Sequence, residues 1–282
     1  MNNNIKGFSL FAAALLASCA HQADTKKASN TASVKATRKA VPPALAWDAV
    51  APREPLPLPG LRTVDDVLSS LAPYVVSQLK PDFDRAGVAY PPRELALIAL
   101  KEERRLEVWA RDLGPFRFIR DYPIRAASGK AGPKLRQGDR QVPEGVYRIV
   151  RLNPNSNYHL SMKLNYPNDF DLFHADQEGR WEPGSDIFIH GDSVSSGCLA
   201  MGDAAIEELF VLAAHVGPEN IRVVIAPHDP RTRPLDPNQP GLPSWSSELY
   251  EEITRQILAV SNSEPVKVSS NRPAQNGERK TR

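Results

Sequence analysis

Between Val64 and Leu79 the apolar residues Val64, Val67, Leu68, Leu71, Val75 and Leu79 recur at spacings of three and four, which predicts an amphipathic helix. Pro73 falls inside this stripe and predicts a kink or two short helices. From Leu95 the pattern shortens to strand-length runs: 95–99, 105–110, 116–121, 146–150 and 158–164. Turn-formers punctuate them at Gly114-Pro115, Gly132-Pro133, Gly138-Asp139 and Pro143-Glu144-Gly145. Ile187 to Ile189 is a compact apolar strand that runs into His190-Gly191, and Ile221 to Ala226 reads as a buried strand. Asp203 can cap a helix that would place Ile206, Leu209, Phe210 and Ala213 on one face, and a last helix is expected at about 244–260. Short strands at this spacing predict a mainly β domain with flanking helices (α+β), built as a sandwich or barrel.

The two ends have a different texture. Lys6 precedes an apolar run from Phe8 to Ala17 that only Ser9 interrupts. Such a run is about half of the roughly 20 residues that span a bilayer, so it reads as an export signal. Leu16-Ala17-Ser18-Cys19 resembles the lipobox of bacterial lipoproteins, which implies cleavage after residue 18 and acylation of Cys19. Ala20 in the second mature position implies an outer-membrane destination. Residues 19–60 are small and polar, then proline-rich, and read as a tether; about 40 flexible residues reach roughly 35 Å. The expected order is therefore a signal at 1–18, a lipidated tether at 19–60, a helical segment at 61–94 and the main domain at 95–230. A helical extension at 231–262 and an unfolded polar tail at 263–282 complete it. The net charge of +2, with basic-rich runs only at the ends, excludes a nucleic-acid footprint.

The chain has two cysteines, Cys19 and Cys198. Acylation of the first leaves the second unpaired in an oxidising compartment, where it either joins a partner or keeps its thiol for chemistry. A strand end delivers His190, a short polar loop follows, and Cys198 sits beside Gly197. An imidazole that accepts the thiol proton yields the nucleophilic thiolate, and a glycine next to the sulfur admits a substrate backbone. His174, His190, Asp192 and Cys198 include zinc-ligand types, yet their spacing fits no recurrent zinc pattern, so neither metal nor cofactor is expected. No glycine-x-serine-x-glycine elbow surrounds Ser195 or Ser196, which argues against a serine hydrolase.

Ser195-Ser196-Gly197-Cys198 resembles the S-x-G-C signature of the YkuD-type L,D-transpeptidase catalytic family. Ser128-Gly129, Gly132-Pro133-Lys134, Gly138-Asp139-Arg140, Pro143-Glu144-Gly145, Asn153-Pro154-Asn155-Ser156, Tyr166-Pro167-Asn168 and Ile189-His190-Gly191 resemble its YafK-like branch in order and spacing. Ser196 stands where the broad family commonly has histidine, and the gap from His190 to Cys198 is short; both features are shared by that branch and shift the expectation toward hydrolysis.

The resemblance implies Cys198 as nucleophile, His190 as base, and Ser195 with the Gly197 and Cys198 amides ordering the loop and oxyanion site. Tyr158 and His159, on a strand passing the site, are candidate substrate contacts. So are Gly129, Lys134 and Arg140, whose two cations could meet substrate carboxylates. The implied partner is a peptidoglycan stem peptide carrying a diamino acid such as meso-diaminopimelate. Cys198 would attack the carbonyl on its L-centre and form a thioester. Water would then give hydrolysis, including release of a wall-attached lipoprotein, and an amine would give a cross-link. The expected setting is the cell envelope, on the periplasmic side, with the lipid on Cys19 in the membrane. A noncatalytic peptidoglycan-binding outer-membrane lipoprotein is the alternative, and the intact His190 and Cys198 pair argues against it.

Overall fold

The computed structural model describes residues 53–56 and 58–262. The expected signal, Cys19, nearly all of the tether and the tail after 262 lie outside them. Helix α1 (Val64–Ala86) starts at a capping box in which Thr63 and Asp66 satisfy each other's backbone amides, and it stops at Gly87 in the left-handed region. It buries Val67, Leu71, Val75, Leu79 and Phe83. The division expected at Pro73 does not occur: α1 runs on past Pro73 and Pro81. Both prolines lie on the exposed face, where water can reach the carbonyls that lose their helical donors.

Among the described residues nine strands form one sheet in the order β3-β2-β1-β9-β5-β6-β7-β8-β4. In chain order they are β1 (Glu94–Leu100), β2 (Arg105–Arg111), β3 (Arg117–Pro123), β4 (Ala126–Ala127), β5 (Gly145–Asn153), β6 (Ser161–Leu164), β7 (Phe188–His190), β8 (Leu199–Ala200) and β9 (Ile221–Ala226). The helices are α1, α2 (Asp169–Gln177), α3 (Asp203–Val216) and α4 (Ser246–Ser261). The class is the expected one, mainly β with flanking helices, and the sheet is a continuous half-barrel.

Strand β1 shows why its sequence is apolar without alternation. Leu95, Leu97 and Ala99 face a core shared with α1 and α3, while Ala96, Ile98 and Leu100 face a second core shared with Leu249, Tyr250, Ile253, Ile257 and Val260 of α4. Both faces are covered, as in parallel sheets, and β1 does pair in parallel with β9. Each fully buried aliphatic side chain contributes roughly 1.5–3 kcal/mol, so the 231–262 extension is part of the domain.

The other half of the sheet positions the chemistry. Strand β7 pairs with β6 through Ser161↔His190 and, in parallel, with β8 through Ile189↔Leu199. Parallel pairing makes the chain loop back between 191 and 198. In that register Cys198, one step before β8, is level with Phe188. Side chains alternate with period two, so Phe188, His190 and Cys198 share a face with Ser161.

Three further departures bear on the site. The strand expected from Tyr158 begins only at Ser161; His159 has φ 69°, which breaks an extended run. Helix α2 was not anticipated. The last residues of the expected tether are docked, with Arg53 ion-paired to Glu207, Gly60 N donating to Asn155 Oδ1 at 2.8 Å and Leu56 packed on the core.

Candidate active site

Cys198 and His190 line one cavity of about 180 Å³, together with Asn153, Ser156, Asn157, Tyr158, Ser161 and Phe188. His190 is buried, and its Nδ1 lies 2.6 Å from the Gly191 carbonyl oxygen. A carbonyl only accepts, so Nδ1 carries the proton and Nε2 of the neutral ring keeps its lone pair. The Tyr158 ring lies over the imidazole, with centroids 4.6 Å apart and planes inclined at 32°. Burial holds His190 below its ordinary pKa of 6.5, against the opposing pull of the Gly191 carbonyl and Asp192.

Burial likewise raises the Cys198 thiol above its ordinary 9.0; the Phe188 backbone amide and the charge of Lys134 oppose this, and Asp186 adds to it. The thiol donates a long contact, 3.9 Å, to the Asp186 carbonyl. Both directions favour a neutral thiol beside a neutral imidazole. An ion pair formed in advance, which the sequence suggested, is not favoured.

The loop between the two residues is held from several directions. Gly191 N donates to the carbonyls of Tyr158 and Leu160, each at 3.1 Å. A Cβ on Gly191 would lie 2.7 Å from Tyr158 O and 2.6 Å from Asp203 Oδ1, so only glycine fits there. Asp203 Oδ1 also accepts from Asp192 N at 2.8 Å. Ser195 Oγ donates to the Cys198 carbonyl at 2.7 Å and accepts from Ser128 N at 3.1 Å, while Ser128 Oγ accepts from Gly197 N at 2.7 Å. Ser195 thus ties the cysteine loop to Ser128. The Gly197 amide is already engaged by Ser128 and does not serve as a free oxyanion donor; the glycine matters through its φ of 107°. Ser128 appeared in the sequence only as part of a motif, and nothing there marked it as the second half of a hydroxyl staple.

The remaining candidates divide. Tyr158 lines the cavity, from a turn rather than a strand. His159 points elsewhere: its Nε2 lies 2.7 Å from Glu207 Oε1 on α3. Burial raises the Glu207 carboxyl, but hydrogen bonds from His159 and Arg53 outweigh it and hold the group below its usual range. Gly129 lies against the Gln141 side chain and has φ 93°, which favours glycine there. Lys134 is buried and engaged with Asp139 and with Arg136 O, so it does not reach for substrate; its influence on Cys198 is through space. Arg140 is exposed, with φ 54°, and lines neither this cavity nor its neighbour. His174 stacks on Trp245, the residue before α4, with centroids 4.6 Å apart, and does not join His190, Asp192 and Cys198.

Beneath the Ser128 loop lies a buried pair that the sequence did not disclose. Lys101 Nζ donates to Glu144 Oε1 at 3.0 Å and to the carbonyls of Lys130 and Val142, and Glu144 also accepts from Gly132 N and the Tyr250 hydroxyl. The network ties the 128–144 loop to β1 and α4, and through Ser128 it fixes the cysteine loop.

Residues 93–225 match the family model described as the L,D-transpeptidase catalytic domain, YkuD. Over this segment the chain is similar to the YkuD family. Two curated proteins named "Putative L,D-transpeptidase YafK", from Escherichia coli strains K12 and O157:H7, are 39% identical to the chain over 132 residues, covering 45% of it. The chain spans about half the length of these relatives, 51%. Among solved structures, the helical cell shape determining protein Pgp2 of Campylobacter jejuni matches with 22% identity over 50% of each chain and a TM-score of 0.40. Its K307A mutant matches with 18% identity over 70% of this chain and 63% of that one, with a TM-score of 0.41. The YkuD assignment agrees with the resemblance carried by the serine-glycine-cysteine loop.

Proposed function

We propose that the YkuD domain of this chain is a cysteine enzyme acting on peptidoglycan stem peptides, with Cys198 as nucleophile and His190 as its base. The observation that carries this reading is the placement of both side chains on one cavity with His190 Nε2 left free to accept a proton. Nε2 takes the thiol proton as sulfur bonds to the carbonyl carbon on the L-centre of the diamino acid. The imidazolium then returns that proton to the departing amine, leaving a thioester. Water releases the acyl group as a free acid, or an acceptor amine releases it as a new amide. The lowered pKa of His190 and the raised pKa of Cys198 oppose proton transfer in the resting site, so the proton moves as sulfur bonds to the carbonyl carbon rather than beforehand.

The cavity of about 180 Å³ beside the thiol has room for water as the second reactant, and hydrolysis is the outcome we propose. Release of a wall-attached lipoprotein belongs to the same chemistry, because that attachment is an amide to the same carbonyl. Anchoring through Cys19 to the outer membrane, with the domain on the periplasmic side, would place it against this substrate. The test is incubation of the full chain with sacculi bearing attached lipoprotein, followed by mass spectrometry of the muropeptides. Products that lose lipoprotein residues or terminal D-alanine, absent with Cys198→Ala, are expected. Unchanged muropeptides with protein bound to the sacculi would favour a wall-binding lipoprotein instead.

A further inference from the structure

Beside the Cys198 cavity lies a second one, of about 470 Å³, and Ser156 and Asn157 line both. One side is apolar, from Leu56, Leu58 and Pro59 of the segment before α1; the other carries His159 and Arg62. The segment is clamped in place. Asn155 Oδ1 accepts from Gly60 N and from Arg62 N at 2.8 and 3.1 Å, and Asn155 Nδ2 donates to Arg62 O at 2.7 Å.

Arg62 is only 5% exposed. Its Nη2 donates to the His159 carbonyl at 3.2 Å, its Nε has no hydrogen-bond partner, and no carboxylate pairs with it among the described residues. Other buried cations near the site are matched, Lys101 by Glu144 and Lys134 by Asp139. A buried guanidinium without a counter-ion is costly, and the cost falls when an anion arrives. Loss of hydration is the sole influence on its proton affinity, which it lowers.

We propose that Arg62 is a carboxylate-binding residue and that this second cavity is a subsite for a free carboxylate of the stem peptide whose neighbouring carbonyl is presented to Cys198. The assignment rests on the stem-peptide reading above and adds where the peptide's charge is held. A planar guanidinium offers paired N–H donors that match a carboxylate's two oxygens. Leu56, Leu58 and Pro59 supply an apolar wall for the adjoining alkyl chain. The last residues of the expected tether thus complete the substrate groove.

The test is calorimetric binding of a stem tetrapeptide with free carboxylates, and of the same peptide with its carboxylates amidated, to the full chain carrying Cys198→Ala. Arg62→Gln and Arg62→Lys are made in that background. Arg62→Gln is expected to weaken the free-acid peptide roughly ten- to hundredfold and to change the amidated one less than about threefold, with Arg62→Lys between. Equal losses for the two peptides would make Arg62 merely structural and overturn the assignment. So would equal binding of both peptides, or of neither, to the chain with Arg62 intact. Should Arg62→Gln fail to fold, the Lys variant decides, because the penalty of amidation must shrink in it. Thiol-dependent turnover by the unmodified chain is a separate readout, so failure of the subsite and failure of the catalytic reading are distinguishable.

Discussion

His190 and His159 flank the same turn around Tyr158 and Gly191, yet they are held in opposite ways. His190 gives its Nδ1 proton to a backbone carbonyl and keeps Nε2 unengaged on the cavity that Cys198 lines. His159 has its Nε2 committed to Glu207, which is held in turn by Arg53 at the end of the tether. One imidazole is positioned and left available, whereas the other fastens the turn to α3. Which nitrogen is occupied, rather than proximity to the site, separates a candidate base from a latch.

The largest effect expected from this contrast is in His190→Gln. Turnover of stem peptide should fall by roughly 10²–10⁴-fold, while thermal unfolding stays near that of the unsubstituted chain. His159→Ala should do the reverse, costing about 1–3 kcal/mol of stability because it leaves a buried carboxylate with one partner fewer. Its turnover should stay within severalfold, measured by urea unfolding and peptide release in parallel. Equal losses of activity in both variants would erase the distinction.

Gly191→Ala probes the turn the two histidines share. The new methyl would meet the Tyr158 carbonyl and the Asp203 carboxylate, so a stability loss of roughly 1–3 kcal/mol is expected. Ser128→Ala removes one half of the hydroxyl staple and frees the Gly197 amide. It should cost about 1 kcal/mol and lower turnover more than it raises KM, because it loosens the loop carrying the thiol. A Ser128→Ala variant with unchanged turnover would mean the staple plays no part in aiming Cys198.

The smallest effect is in pH dependence. His190 loses its proton below its ordinary 6.5, so the acid limb of kcat/KM should lie below that value. Burial keeps Cys198 protonated beyond 9.0, so alkylation by iodoacetamide should still be rising at pH 9. A plateau of alkylation near neutral pH would indicate a thiolate–imidazolium pair already present in the resting protein. The same shift in His190 has a sign for stability. Its neutral form is favoured by folding, so that contribution is full above 6.5 and is lost as pH falls toward the folded value.

Much of the sheet was legible because strands buried on both faces, such as β1 and β9, announce themselves as apolar runs. Helix α2 was not, since it buries Asp171 and His174 beside Ala175 and has no apolar stripe; its signal was the cap, Asn168 with Asp171 three residues later. Tyr158 and His159 resemble strand residues by type, and only backbone conformation reveals the turn. The His190 and Cys198 pairing followed from the motif, and the parallel register of β7 and β8 supplies its physical reason. The cations were the hardest to read. Lys134 and Arg140 stood in recognisable motifs but do not line the cavity, whereas Arg62, in no motif, is buried with no carboxylate paired to it among the described residues. Burial and partnership come from tertiary contacts, which a linear sequence does not display.

The most direct test of the central claim is intact-mass measurement of the full chain during turnover of a stem peptide, with rapid acid quenching. A mass increase equal to the acyl fragment is expected, located on Cys198, removed by hydroxylamine and absent in Cys198→Ala. Product formation by the Cys198→Ala protein, or turnover with the acyl group on another residue, would contradict it.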